Sequence, residues 1–396
     1  MNRGKSNIYF NGVDDLLIKD VEELTGMKRG TVPFKYLGVN VSPKRLSVLE
    51  CSSLVDRIVE RIQRLGSRKL SYAGRVVLIQ SVLSSLHTYW ARIFILPKTV
   101  IARIEATCRS FLWHGNETRE NPALVSWDAI CQPKKQGGLG IKRFYEWNLA
   151  AIAKYAWWIV KSDHPWSWVH SVYIKSGSWC TYKPNNSNSW AWRMVCKVKD
   201  RFRGLLFESD WCMSGARYTI GLGYKWLLPD REPVRWYPWV NQRWSVPRHL
   251  FCCWLVVQGR LLTQDRLRRM HIIDQNCCVL CGVNEETHDH LFFGCVFSRK
   301  CKNLVSDWCK IKFPDQNSID WWLKWRSRSF GRKKGMAVIL SSLIYWIWAA
   351  RNKCRVEGIV WRPEFIQQQI RIESCMRISM FRSNNDKFVM WYNSIK

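Results

Sequence analysis

Four residues around position 285 have types and a spacing that suit metal binding. Cys278, Cys281, His290 and Cys295 follow the pattern C-x2-C-x8-H-x4-C within the stretch CCVLCGVNEETHDHLFFGC. The first two thiolates would lie on one tight turn, and the histidine and third thiolate would return from the next element. Zinc prefers tetrahedral sulfur and nitrogen ligands, and four protein ligands leave no position for a reactive water. The spacing therefore predicts one structural zinc.

Two alternatives to this ligand set stay open at the level of sequence. Cys277 and His288 lie close enough to the predicted ligands to replace one of them. Cysteine is also among the residue types most often buried, so these thiols could be core residues without a metal. The two-residue spacing of the first pair, followed at once by Gly282, favours the zinc interpretation.

The elements that would position this site are predicted to be mainly α-helical. An apolar stripe at Val55, Ile58, Ile62 and Leu65 indicates an amphipathic helix, and GRVVLIQSVLSSLHTYW continues the pattern. A further helix is expected after Pro97, since proline is favoured at helix starts. Helices are also expected at about 250–258 and 263–270, and again after residue 313.

Tryptophan is concentrated in the middle of the chain. Thirteen of the 25 tryptophans lie between Trp157 and Trp254, several beside arginines. Such rings could stack on nucleic-acid bases, whereas core packing is the commoner role of tryptophan. Both interpretations remain open from sequence.

The charge balance indicates a polyanionic partner. The chain has 62 lysines and arginines against 31 aspartates and glutamates, a net charge of +31. Nucleic acid is the obvious partner for such a chain, and an anionic membrane surface is the weaker alternative. Phosphate contacts give affinity without reading sequence. The residues predicted to make them are Arg57, Arg61, Arg64, Arg68, Lys69, Arg75, Lys324, Arg326 and Arg328.

Compartment and membrane contact are judged from cysteine usage and apolar runs. Sixteen irregularly spaced cysteines, with no apolar signal core in MNRGKSNIYF, favour a reducing compartment, the nucleus or cytoplasm. The longest apolar run, 336–350, is shorter than the roughly 20 residues of a membrane span. We expect it to form a buried helix and expect no membrane partner.

Two short motifs resemble catalytic ones but lack their required context. Gly4-Lys5-Ser6 has no glycine five residues before it, as a phosphate-binding loop requires. Asp14-Asp15 resembles a polymerase metal pair, but the earlier carboxylate-bearing strand cannot fit into 13 residues. We therefore predict a loop or helix start at these aspartates and assign no catalytic residue.

Several motifs, in order, resemble the reverse transcriptases of plant-type non-LTR (LINE-like) retroelements. They are KSNIYFNGV (5–13), PFKYLGVNVS (33–42), LSYAGRVVLIQSVL (70–83), FLWHG (111–115), CQPKKQGGLGI (131–141) and WNLAAIAKYAWWI (147–159). Residues 244–308 resemble the zinc-binding domain of these enzymes. The resemblance implies that its metal ligands fall on Cys278, Cys281, His290 and Cys295.

The resemblance also implies a division of labour along the chain. It suggests a remnant that follows the polymerase palm (1–43), a helical thumb-like region (44–130), a Trp-rich connector (131–240), the zinc-binding domain (241–312) and a helical C-terminal region (313–396). In that family the catalytic aspartates precede the KSNIYFNGV segment. We therefore expect a truncated, nucleic-acid-binding product that does not polymerise by itself. The alternatives are a domesticated zinc-binding module for protein partners, and part of an active RNA-directed DNA polymerase whose palm is supplied upstream.

Overall fold

Helix dominates the computed structural model of the protein. Helix makes up 64% and strand 2%, which confirms the mainly α prediction. The structure describes residues 6–10, 13–31, 33–36, 39–41, 44–65, 70–116, 123–161, 168–209, 217–310, 330–380 and 393–395. Five residues with predicted roles, Arg68, Lys69, Lys324, Arg326 and Arg328, lie outside these ranges.

Fifteen helices in the described residues are numbered here in chain order. They are α1 (Asp15–Thr25), α2 (Ser52–Leu65), α3 (Tyr72–Leu78), α4 (Ser84–Ala91), α5 (Lys98–His114), α6 (Trp127–Ile130), α7 (Phe144–Val160), α8 (Trp190–Arg201), α9 (Ile220–Leu227), α10 (Tyr237–Val240), α11 (Pro247–Val257), α12 (Gln264–Arg269), α13 (Val296–Cys309), α14 (Phe330–Glu357) and α15 (Pro363–Ser379). One 3-10 turn, Lys134–Gln136, and four π-helical segments, Ile79–Leu83, His170–Ile174, Gly204–Glu208 and His290–Gly294, complete the helical structure.

The first helices follow the apolar periodicity of the sequence. In α2 the predicted stripe residues Val55, Ile58 and Ile62 are buried, and Leu65 is half-buried. Leu54, which was not predicted, is buried beside them. Helices α3 and α4 continue one into the other through the π-helical segment Ile79–Leu83, and α5 begins directly after Pro97. The motif LSYAGRVVLIQSVL therefore forms one long helical stretch with a wider turn in its middle.

The strands are short and belong to the N-terminal part of the chain. Strand β1 (Asn7–Ile8) pairs in parallel with β2 (Lys28–Arg29), and β3 (Phe34–Tyr36) pairs antiparallel with β4 (Val39–Val41). Asp14 caps α1, because its carboxylate accepts a hydrogen bond of 2.8 Å from the Leu17 amide. The aspartate pair is thus a helix start, as predicted.

The chain divides into two units, each built from separated stretches. The first unit contains residues 1–65, 80–108 and 142–230. Its core lies around α7, against which α4, α8 and α9 pack. Trp179 and Trp192 stack inside this core with ring centroids 5.3 Å apart. Both of these tryptophans are therefore packing residues and not exposed stacking platforms.

A buried lysine closes one turn of the first unit. The Lys199 side chain is almost fully buried, and its ammonium donates to the carbonyl oxygens of Trp179 at 3.2 Å and Tyr182 at 2.7 Å. Asp200 lies 3.0 Å from the same ammonium. A buried charge is tolerated only when it is paired and hydrogen-bonded, so these contacts fix the turn onto α8.

The second unit contains residues 66–79, 109–141 and 231–396, and α14 runs through its centre. Helix α14 packs against α11 and α15, and α13 packs against α15. The apolar run 336–350 lies within α14 and is mostly buried, as predicted. Among the described helices, none combines the length and the apolar composition that a membrane span requires.

Candidate metal centre

The first two predicted ligands lie on a tight loop whose backbone is closed by three hydrogen bonds. The Gly282 amide donates to the Cys278 carbonyl at 2.7 Å, the Cys278 amide to Asn284 at 2.8 Å, and the Glu286 amide to Asn276 at 2.8 Å. Gly282 has a φ of 70°, a left-handed conformation that costs glycine nothing. The sequence Cys-x-x-Cys-Gly thus forms a preformed turn that brings two thiols to one side.

The same turn supplies hydrogen bonds to sulfur. The backbone N–H groups of Leu280 and Cys281 donate to the Cys278 Sγ. Hydrogen bonds to a thiolate favour its charged form, which is the form that binds metal. They oppose the two larger effects at Cys278, the hydrogen bond to Cys295 and burial, which raise the pKa of this thiol.

The other two ligands come from a second element, as the spacing predicts. His290 begins the π-helical segment His290–Gly294, and Cys295 stands at the N-cap of α13. The Cys295 Sγ accepts a hydrogen bond from the Cys278 thiol, which is the largest of the effects that lower the pKa of Cys295. Backbone N–H groups of Ser298 and Phe297 at the start of α13 also donate to this sulfur and lower its pKa further. The helix terminus thus stabilises a thiolate.

The four ligand atoms have the separations of a tetrahedral site. They all lie within 4.8 Å of one another. The sulfurs of Cys278 and Cys295 are 3.9 Å apart, and the Cys281 sulfur is 3.3 Å from His290 Nε2. Zn–S bonds of about 2.3 Å and Zn–N bonds of about 2.0 Å in a tetrahedron imply separations of about 3.8 Å and 3.5 Å. The residues present therefore fit a single zinc.

The two spare ligands considered above lie outside this group. Cys277 is exposed and is not among the converging ligand atoms. His288 is half-buried, and burial lowers its pKa; its Nε2 has no hydrogen-bond partner among the described residues. The geometry thus favours the ligand set without Cys277 and His288 over one that includes either of them.

A buried ion pair connects the ligand loop to the C-terminal part of the second unit. Glu286 and Arg351 are 0% and 1% exposed in their side chains. Arg351 Nε donates to Glu286 Oε1 at 2.9 Å, and the Gln264 amide donates to the same oxygen at 2.9 Å. The Val279 amide, inside the ligand turn, donates to Oε2 at 3.5 Å. One carboxylate therefore joins the metal loop to the start of α12 and the C-terminal part of α14.

A second contact of α14 falls on the same loop. The Cys354 thiol donates to the Val279 carbonyl at 3.2 Å. Nothing in the local spacing of Glu286, Arg351 or Cys354 marks them as partners of a metal loop. Sequence reasoning missed them because their partners lie 65 and 75 residues away along the chain.

Comparison with known proteins agrees with this geometry. Residues 218–301 match the family described as zinc-binding in reverse transcriptase. The chain contains a reverse-transcriptase zinc-binding domain. The matched segment begins upstream of the expected 241–312 and contains all four ligands, as well as Glu286. Arg351 lies beyond its end.

One curated relative extends the similarity beyond this domain. A putative ribonuclease H protein of Arabidopsis thaliana is 27% identical over 210 residues, which covers 52% of this chain. The matched region spans 30% of that relative's length. The zinc-binding domain and this relative together confirm that the protein is related to retroelement proteins.

The predicted nucleic-acid-binding residues that the structure describes fall into two groups. Arg61 and Arg64 lie exposed on α2, where Glu60 pairs with Arg64 at 2.5 Å, and Arg57 is half-buried on the same helix. Arg75 differs, since it is only 7% exposed and its guanidinium donates to the Leu112 carbonyl at 3.1 Å. Its position suits support of the helix packing and not a phosphate contact.

Proposed function

We propose that this protein is a zinc-stabilised, nucleic-acid-binding segment of a plant-type, LINE-like retroelement protein, which acts by binding and not by polymerisation. The observation that carries the proposal is the net charge of +31. Helix α2 illustrates how it is displayed, since Ile58 and Ile62 face the core while Arg61 and Arg64 are exposed. An excess of exposed cations attracts a polyphosphate backbone at long range.

The zinc contributes structure in this proposal. Four protein ligands complete a tetrahedral shell, and such closed sites stabilise folds without a reactive water. Among the described residues, potential metal ligands converge in a group of three or more only at this site. The partners in this proposal are RNA, DNA or both.

Salt dependence tests the binding part of the proposal. The full chain with zinc is titrated into a labelled 20-base-pair DNA and a 20-nucleotide RNA at increasing salt. We expect log Kd to rise linearly with log salt, by about 0.9 per neutralised phosphate on duplex DNA and about 0.7 on single strands. The double variant Arg61→Glu, Arg64→Glu is expected to bind both probes more weakly and with a smaller slope. Affinity that does not change with salt contradicts the proposal.

Primer extension tests whether the protein acts without polymerisation. The full chain is incubated with a primed RNA template, deoxynucleotides and Mg²⁺, and product length is measured on a gel. The proposal predicts no extension. Extension that follows the protein through purification would show polymerase activity and would overturn the binding-only assignment.

A further inference from the structure

A groove in the first unit combines cationic and aromatic side chains. It encloses about 630 Å³, within the range of about 300–1,000 Å³ that ligand sites occupy. Its walls come from the stretches 45–48 and 95–99, from α7 and from the first turns of α8. Its lining includes Arg45, Lys98, Lys197, Tyr145 and Trp190, and we call this cavity the basic groove.

The charges of the basic groove have a single sign. Arg45, Lys98 and Lys197 line it, and no acidic residue does. All three side chains are exposed, and none forms an ion pair with another described residue. Cations that share a concave surface without counter-charges create a positive potential that concentrates anions. The groove is therefore suited to a negatively charged ligand.

Tyr145 packs against the neighbouring core, but neither it nor Trp190 is stacked as the core tryptophans are. Trp179 and Trp192 stack on each other within that core. In contrast, neither Tyr145 nor Trp190 stacks on another described aromatic ring, although both are half-buried at the groove. The Lys98 ammonium lies 5.5 Å from the Tyr145 ring centroid. Aromatic rings beside cations are the combination that holds stacked, unpaired bases.

Hydrogen bonds fix two walls of the basic groove in advance. Ser47 and Glu50 bond reciprocally, with the Ser47 amide donating to the carboxylate at 2.7 Å and the Glu50 amide to the hydroxyl at 3.2 Å. Asn148, one turn after Tyr145 in α7, accepts from the Leu96 amide at 2.7 Å and donates to the Phe94 carbonyl at 2.7 Å. Walls that are already ordered lose little conformational entropy when a ligand binds.

We propose that the basic groove binds single-stranded nucleic acid, with bases stacked on Tyr145 and Trp190 and phosphates placed at Arg45, Lys98 and Lys197. The bases of a duplex are stacked on one another, so only an unpaired strand can offer base faces to these rings. This inference rests on the proposed function and assigns it a site. Asn148 acts as a positioning residue, because it holds the backbone next to Lys98.

The first arm of the test changes the rings in the full-length, zinc-containing protein. Binding of a labelled 12-nucleotide oligothymidylate and of a 12-base-pair duplex is measured by fluorescence anisotropy. Tyr145→Ala and Trp190→Ala are each expected to weaken single-strand binding by at least about fivefold, since base stacking contributes that much or more. Tyr145→Phe and Trp190→Phe keep the ring and are expected to bind like the original chain. Duplex binding is expected to remain unchanged in all four variants.

The second arm changes the charges. Lys98→Ala and Lys197→Ala are each expected to lower the salt slope for the single strand by about 0.7, the value for one lost phosphate contact. Lys183→Ala is the matched control, because Lys183 is an exposed lysine of the same unit that does not line the groove. Zinc content and circular dichroism confirm that each variant is folded.

The outcomes separate this inference from the function on which it rests. Failure of the original chain to bind either probe refutes the proposed function. If the original chain binds both probes and the alanine variants bind the single strand as tightly as it does, the groove assignment is refuted and the proposed function is not. Equal loss on single strand and duplex in Tyr145→Ala, despite intact circular dichroism, refutes the assignment to single strands.

Discussion

The zinc loop (residues 276–295) and the core of the first unit are stabilised by different kinds of interaction. Each must hold irregular backbone in one place. The zinc loop depends on four ligands and the buried Glu286–Arg351 pair. The core around α7 depends on stacked aromatic rings, and single polar side chains, Asn148 and Lys199, hold its turns. We therefore expect the two regions to respond to different perturbations.

Removal of one zinc ligand should give the largest effect. Cys281→Ser or His290→Ala is expected to lose zinc and unfold residues 276–310, since structural zinc in small domains contributes about 10 kcal/mol or more. Residues 144–161 and 168–201 should remain protected from exchange. Zinc content by mass spectrometry and hydrogen exchange measure the two effects.

Matched controls for this prediction are present in the loop itself. Cys277→Ser and His288→Ala change neighbouring residues that lie outside the converging group. Both should retain one zinc per chain. Loss of zinc in a control but not in Cys281→Ser would contradict the ligand assignment.

Loss of one member of the buried ion pair should have the next largest effect. Glu286→Gln leaves the Arg351 charge without its partner, which costs about 3–5 kcal/mol when a buried pair is broken. Zinc affinity should fall about 10- to 100-fold, as is usual for residues that support metal ligands. Competition with a chelator measures the affinity.

A double variant sharpens this prediction. Glu286→Gln combined with Arg351→Met removes both charges and should be more stable than Glu286→Gln alone. If the two changes add independently, the side chains do not interact in the way that the structure shows.

Replacement of Asn148 should destabilise the first unit and leave zinc binding unchanged. Asn148→Ala removes three buried hydrogen bonds, to Leu96, Phe94 and Ala91, and should cost about 3 kcal/mol at about 1 kcal/mol per bond. Chemical denaturation measures the loss. Zinc content should be unchanged, and Asn186→Ala, at an exposed loop position, is the control.

Protonation of one buried histidine of the first unit should have the smallest effect. Burial lowers the pKa of His87 from 6.5 to about 3. Below pH 6.5 the unfolded chain binds a proton at His87 that the folded chain excludes. His87 therefore costs no stability above pH 6.5, and the free energy of unfolding decreases as the pH falls from 6.5 towards 3. At pH 5 the loss is about 2 kcal/mol, at 1.36 kcal/mol per unit.

A variant isolates the contribution of His87 from those of other titrating groups. His87→Phe should lose less stability in the first unit between pH 7 and pH 5 than the original chain does. Hydrogen exchange in residues 84–91 at both pH values measures the difference. Identical pH dependence in the two proteins would show that His87 does not titrate as described.

The features that sequence predicted well are local ones. The four zinc ligands fall within 18 residues, and the stripe of α2 repeats within 14, so spacing alone carries the information. The start of α5 follows from Pro97, and the start of α1 from Asp14. In each case the physical cause acts between residues a few positions apart.

The features that sequence could not predict depend on distant partners. Arg75 belongs by its neighbours to a basic helix, yet its guanidinium bonds to Leu112, 37 residues away. Glu286 and Arg351 form their pair across 65 residues. The tryptophans were ambiguous for the same reason, because only tertiary packing separates Trp179, in the core, from Trp190, at the basic groove.

The separation of Glu286 from Arg351 also has a consequence for synthesis. A ribosome that adds about 5–20 residues per second makes the intervening 65 residues in about 3–13 s. All four metal ligands precede Arg351 in the chain, so the nascent loop can capture zinc while the Glu286 carboxylate is still hydrated. The Glu286–Arg351 ion pair can therefore form only after the segment that carries all four ligands has been made.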